Sequence, residues 1–140
     1  MADVPSSGES PLVLIVDDYQ DARELYSEYL SSSGFRGAEA QDGAEAVRKA
    51  LELRPAVILM DLSLPGMDGW EAPRRLRSDE RTRLIPIVAL TGHALAAHSD
   101  DARDAGCDAF MTKPCLPDAV VDEVKRMLAL SASRRAAASA

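Results

Sequence analysis

The sequence predicts an α/β domain: a parallel sheet of five strands covered on both faces by five helices. Three observations carry this. Short apolar runs alternate with stretches of helical periodicity, which is the pattern of repeated βα units. Several of those runs are apolar throughout rather than at every second residue, as strands buried on both faces require. The 140 residues suit one core, and with 46% apolar content but only one Trp, three Tyr and two Phe that core is aliphatic.

Residues 1–10, rich in Ser, Gly and Pro, are expected to be a disordered N-terminal segment. The folded unit is expected over residues 11–130, and the Ser, Ala and Arg stretch 131–140 as a disordered tail. Strands are expected at residues 12–16, 36–40, 56–61, 86–90 and 109–112, and helices near 20–32, 44–53, 70–78, 96–105 and 116–130. The first, third and fourth strands are almost wholly apolar and belong in the sheet interior. The second, Arg36-Gly37-Ala38-Glu39-Ala40, carries charge and reads as an edge.

In the first helix, Ala22, Leu25, Tyr26, Tyr29 and Leu30 fall at 3.6-residue spacing, and Val120, Val124, Met127 and Leu128 do so in the fifth. Aromatic residues in such a stripe belong to the core or its margin. Gly34 and Gly106 stand where helix C-caps are expected. Pro73 puts the start of the third helix in question, since proline is tolerated in a first turn and costs about 3 kcal/mol deeper in a helix.

Composition excludes several function classes. The longest apolar runs are about five residues, too short to span a bilayer, and Met1 to Ser10 holds no secretory leader, so a cytoplasmic protein is expected. A net charge of −7 argues against direct binding to nucleic acid. Cys107 and Cys115 have no second cysteine pair or histidine pattern around them and read as plain thiols. His93 and His98 read as surface residues.

The chemistry lies at the carboxyl ends of the strands, where open parallel sheets bind ligands. Asp17 and Asp18 end the first strand, Asp61 the third and Thr91 the fourth, and Lys113 follows the fifth. Three carboxylates on one rim repel by roughly 3 kcal/mol per pair at about 5 Å and an effective dielectric near 20. Such a cluster needs a counter-charge, which a hard divalent cation such as Mg²⁺ and the Lys113 ammonium supply. An aspartate accepts a phosphoryl group covalently as an acyl phosphate, and catalysis of that transfer is mostly positioning by metal and cations. Asp61 is the candidate acceptor, with Lys113 and the Thr91 hydroxyl placed for the phosphoryl oxygens.

Asp17-Asp18 after an apolar strand, the run from Met60-Asp61 through Pro65-Gly66-Met67-Asp68-Gly69, Ala89-Leu90-Thr91-Gly92 and Thr112-Lys113-Pro114 together resemble a response-regulator receiver. The resemblance, to the single-domain chemotaxis-regulator type, covers about residues 11–130. It implies a flavodoxin-like, doubly wound sheet of strand order 2-1-3-4-5, an arrangement for which members of this family are a standard illustration. It implies phosphorylation on Asp61 and Mg²⁺ or Mn²⁺ held by Asp18, Asp61 and the Ser63 carbonyl, with Asp17 acting through water. Thr91, Lys113 and Phe110 resemble the switch hydroxyl, the phosphate-contacting lysine and the switch aromatic, Phe110 standing where a Tyr is often found. The implied activity is Mg²⁺-dependent self-phosphorylation and autodephosphorylation, not that of an enzyme acting on other substrates. The implied donor is a histidine kinase or histidine phosphotransfer protein. The implied output is a protein contact through the face of the fourth helix, fifth strand and fifth helix, without direct DNA binding or a membrane.

With about ten residues after the fifth helix, a stand-alone receiver is expected, the alternative being a receiver fragment of a hybrid kinase or multidomain regulator. A metal-dependent phosphohydrolase with an aspartyl-phosphate intermediate is less well supported. Enzymes resembling the haloacid-dehalogenase group need an Asp two residues after the nucleophile, and Ser63 stands there.

Overall fold

The computed structural model describes residues 10–61, 71–91, 104–113 and 115–139. The elements run β1 (Leu12–Val16), α1 (Gln20–Ser31), β2 (Arg36–Ala40), α2 (Gly43–Leu53), β3 (Val57–Asp61), α3 (Glu71–Ser78), β4 (Ile87–Thr91), β5 (Ala109–Thr112) and α4 (Pro117–Ser139). The strands form one sheet of order β2-β1-β3-β4-β5 with every pairing parallel. This is the doubly wound arrangement expected. Four helices lie among the described residues, α4 being the fifth expected helix; the fourth, near 96–105, falls largely outside them.

The period-two alternation of the strands divides the apolar residues between two cores. Val13, Ile15, Val57, Leu59, Val88 and Leu90 face α1 and α4, where they meet Tyr26, Leu30, Val120, Val124 and Met127. Leu14, Val16, Ile58, Met60, Ile87 and Ala89 face α2 and α3, where they meet Ala46, Ala50, Ala72 and Leu76. The helices on this second face contribute mainly alanine, so they sit close to the sheet. Tyr26 is buried and meets Tyr29 edge-on, with ring centroids 6.0 Å apart. Leu25, expected on the same stripe, is instead 47% exposed, because its position falls past the margin of the buried face.

Pro73 is the third residue of α3 and buried. In the first turn its missing N–H costs no helical hydrogen bond. Gly34 and Gly106 take the positive φ expected of them, 92° and 110°. A third left-handed position is occupied by Arg54, the C-cap of α2, at φ 48° and ψ 64°.

The expected disordered tail is corrected by α4, which runs without a break through residues 131–139. Alanine has the highest helix propensity, so an alanine-rich stretch that continues an amphipathic helix extends it. Ser131 is buried, and both Arg134 guanidinium ends bond Asp108 at the foot of β5. Asp108 also accepts from Arg77 and from the Ile87 N–H, the latter at 2.9 Å. Arg77 in turn donates to the carbonyls of Gly106, Arg83 and Ile85 at 2.7–2.8 Å. This network ties α3, both strand feet and α4 together at the end of the sheet opposite the aspartates.

Candidate phosphoacceptor and metal site

Sheet register brings the acidic residues to one rim. Val16 pairs with Ala40 on one side and Met60 on the other, so Asp17 emerges level with the end of β3. Its N–H donates to the Ala40 carbonyl at 3.1 Å, which continues the ladder one step past β1. Asp61 is the last residue of β3 and pairs with Leu90, so Thr91 stands one residue further out. The Lys113 N–H donates to the Thr91 carbonyl at 2.7 Å and extends the β4–β5 ladder in the same way.

Asp17 and Asp61 are buried, at 0% and 4% exposure, while Asp18 is exposed. Carboxylate oxygens of the three lie within 4.8 Å of one another. Lys113 Nζ bridges the two buried members, donating to Asp17 Oδ2 at 2.7 Å and to Asp61 Oδ2 at 3.2 Å. Burial alone pulls the ammonium down, but the hydrogen bond and charge of Asp17 together with those of Asp61 outweigh it, and Lys113 is held above the ordinary lysine value. It therefore remains a cation. An all-oxygen, anionic donor set of this size fits a hard divalent ion such as Mg²⁺, whereas zinc favours nitrogen and sulfur.

Asp17 is fixed in place from both ends. Its Oδ1 accepts from the Tyr19 N–H at 3.0 Å, and its carbonyl accepts from Arg23 Nη1 at 2.8 Å. Arg23 Nε donates to Glu39 Oε1 at 3.0 Å, linking α1 to the edge strand, and Lys49 of α2 donates to the Glu39 carbonyl. Sequence reasoning missed Arg23 as a supporting residue. Its signal was available only as an arginine one turn into the helix after the acid pair, with a lone Glu on the edge strand. Tyr26, read as core, lies near the Cys115 thiol, which itself donates to the Thr112 carbonyl at 3.4 Å, and burial followed by the charge of that thiol pushes the Tyr26 hydroxyl up to about 12.

The structure brings together Asp17, Asp18, Asp61 and Lys113, with Thr91 adjacent at the end of β4. Phe110 pairs with Ala89, below this level, and is 42% exposed on the edge strand. Ser63, Pro114, His93 and His98 lie outside the described residues. Cys107 and Cys115 are free thiols. Among the described residues no helix is long and apolar enough to cross a membrane.

Residues 13–125 match the family model described as response regulator receiver domain. Among curated proteins, the polar-differentiation response regulator DivK of Brucella anthropi is 33% identical over 116 residues, covering 83% of this chain and 94% of its own. Chemotaxis response regulator CheY4 of Vibrio cholerae superposes with a TM-score of 0.80 at 29% identity, over 85% of this chain and 99% of its own. The receiver domain of sensor histidine kinase PA1611 from Pseudomonas aeruginosa, solved with a magnesium ion coordinated in its active site cleft, gives 0.79 at 32% identity, over 86% and 98%. Strand order, rim composition and these matches agree, and the chain belongs to the response regulator receiver family as a receiver domain of a two-component system.

Proposed function

We propose that Asp61 accepts a phosphoryl group from a phosphohistidine of a histidine kinase or histidine phosphotransfer protein. In that transfer an Asp61 carboxylate oxygen forms the new O–P bond as the P–N bond breaks, and the departing imidazole takes up a proton. The observation that carries the reading is the Lys113 ammonium lying between Asp17 and Asp61 inside a cluster of three aspartates. A partly exposed cation held against the acceptor carboxylate is placed for the oxygens of an arriving phosphoryl group.

Mg²⁺ or Mn²⁺ would be held by Asp17, Asp18 and Asp61, with the Ser63 carbonyl added on the family pattern. The ion in the PA1611 receiver supports this assignment. When bound, the ion neutralises the carboxylates and the phosphoryl oxygens and so lowers the barrier to their approach. Thr91 is the proposed switch hydroxyl, drawn toward the phosphorylated Asp61, and Phe110 the aromatic that follows it. A charge-assisted hydrogen bond of about 1.5–3 kcal/mol shifts a two-state equilibrium by roughly 10- to 150-fold, less than the 5.5 kcal/mol or so needed for full conversion. Lys113 together with the bound Mg²⁺ would therefore contribute the remainder. The output is proposed to be a protein contact over the surface formed by the expected fourth helix, β5 and α4, with no direct DNA binding. The chemistry is confined to self-phosphorylation and loss of the phosphoryl group.

The test is intact-mass measurement after incubation with acetyl phosphate. The wild type is expected to gain one phosphoryl group only when Mg²⁺ or Mn²⁺ is present, and Asp61→Asn none. Wild-type labelling of Asp61→Asn would overturn the assignment.

A further inference from the structure

The end of the molecule opposite the aspartates carries a cavity of about 330 Å³ lined by Arg54, Glu80, Arg81, Leu84, Ile85 and Arg135. That is within the size range of small-ligand sites. Three exposed arginines line it in a chain of net charge −7. Their charges are not equally committed. Arg81 Nε and Nη2 both donate to Asp79 at 3.0 Å, and those bonds hold the Asp79 carboxyl at about 2, so this pair stays neutralised. Glu80 lies 3.8 Å from Arg83 Nε. The Arg54 N–H caps α2 by donating to the Ala50 carbonyl at 2.9 Å, and its charge adds to the pull of Arg81 on Asp79, but among the described residues neither the Arg54 nor the Arg135 side chain makes a hydrogen bond or ion pair.

Backbone conformation brings one of these two arginines to the cavity and helix length the other. Arg54, which lines the cavity, adopts the left-handed C-cap conformation that glycine takes most readily. Strain of this kind clusters at functional positions. Arg135 reaches the cavity only because α4 continues past residue 130, and that continuation is fastened by the neighbouring Arg134 to Asp108. The cavity floor is different in character: Ile85 is 3% exposed and Leu84 half-buried, so an apolar surface lies beneath the charges.

We propose that this cavity is a second ligand site, for a small phosphate-bearing anion, at the pole opposite the acidic rim. The two free guanidinium groups and the remaining nitrogen of Arg81 offer planar, multidentate donors suited to phosphate oxygens. Leu84 and Ile85 offer contact to an apolar body such as a nucleobase. The site is independent of the phosphoacceptor assignment, since it shares no residue with the rim.

The test is an NMR titration of the isotope-labelled full chain, without divalent cations, using pyrophosphate in one arm and ADP in the other. Saturable shifts are expected at the amides of Arg54, Arg81, Leu84, Ile85 and Arg135. Arg54→Gly and Arg135→Gln are each expected to weaken binding by about tenfold or more, as loss of a charge-assisted bond implies. Arg54→Gly is informative because glycine suits the left-handed cap: its thermal midpoint should equal or exceed that of the wild type, so lost binding is not lost folding. Both variants should still bind beryllofluoride at Asp61 as the wild type does. ADP binding more tightly than pyrophosphate shows the apolar floor in use, and equal affinity shows recognition of phosphate alone; both support the site. Absence of saturable shifts at this pole with both probes, or unchanged affinity in both variants, overturns it.

Discussion

Lys113 does two jobs at the residue scale, and they are separable. As a counter-ion it offsets one of the two negative charges on carboxylates whose side chains are 0% and 5% exposed, while its own is 24% exposed. Lys113→Met leaves those charges buried without it and is expected to lower metal-free stability by about 2–3 kcal/mol in denaturant melts. Added Mg²⁺ should narrow that gap by restoring a positive charge, yet leave phosphorylation by acetyl phosphate slow. Asp18 differs because it is exposed and its repulsion is screened. Asp18→Asn should stay within about 1 kcal/mol of wild type without metal while clearly weakening Mg²⁺ binding. Burial pushes the Cys107 thiol up from 9.0 to about 12. Below pH 9 both folded and unfolded states keep the proton; above it only the unfolded state releases it. Unfolding free energy is therefore expected to fall as pH rises from 9 toward 12, and less steeply in Cys107→Ala. The rim positions were legible because Asp17, Asp61 and Thr91 each end an apolar run and Lys113 follows one. Arg23, Arg77 and Asp108 were not, since their roles depend on partners such as Glu39 and Arg134 that no local pattern connects to them.

At the scale of elements, strands proved easier to place than helix ends. The apolar runs of β1, β3 and β4 have sharp polar borders, and β2 was identifiable as an edge from Arg36 and Glu39. Helix termini depend on capping and tertiary contact, and the C-terminus of α4 is the clearest example. Low complexity at residues 131–140 suggested disorder, but alanine-rich composition is also helix-forming, and the deciding contact is Arg134 with Asp108. That contact has measurable weight. Asp108 side-chain exposure is 10%, and Asp108→Ala leaves Arg77 its carbonyl partners but no counter-charge, and burial already pulls that guanidinium below the usual arginine value. A loss of about 3 kcal/mol is expected in thermal or denaturant melts. Arg134→Ala removes only the outer partner, so about 1–2 kcal/mol is expected, with faster amide exchange confined to the last two turns of α4.

Across the whole molecule, the two ends of the sheet carry opposite character: an acid rim at the strand carboxyl ends and an arginine-lined pole at their feet. Any cation that binds only the folded state raises the midpoint by mass action, so Mg²⁺ titration should raise the wild-type melting temperature continuously. Asp61→Asn should show a weaker dependence, because one of the three carboxylates is gone. Scale also governs how the rim comes into being. The bond from Lys113 to Asp17 joins residues 96 apart in the chain. Strands β1 and β3 pair without help from β5, but their aspartates then face one another with no ammonium between them. A nascent chain still lacking β5, or a native molecule in which β5 has transiently peeled away, thus presents the proposed acceptor carboxylate without its ammonium counter-charge. On the proposed reading, competence to receive a phosphoryl group is in this way an end-to-end property: it requires that the last strand has docked.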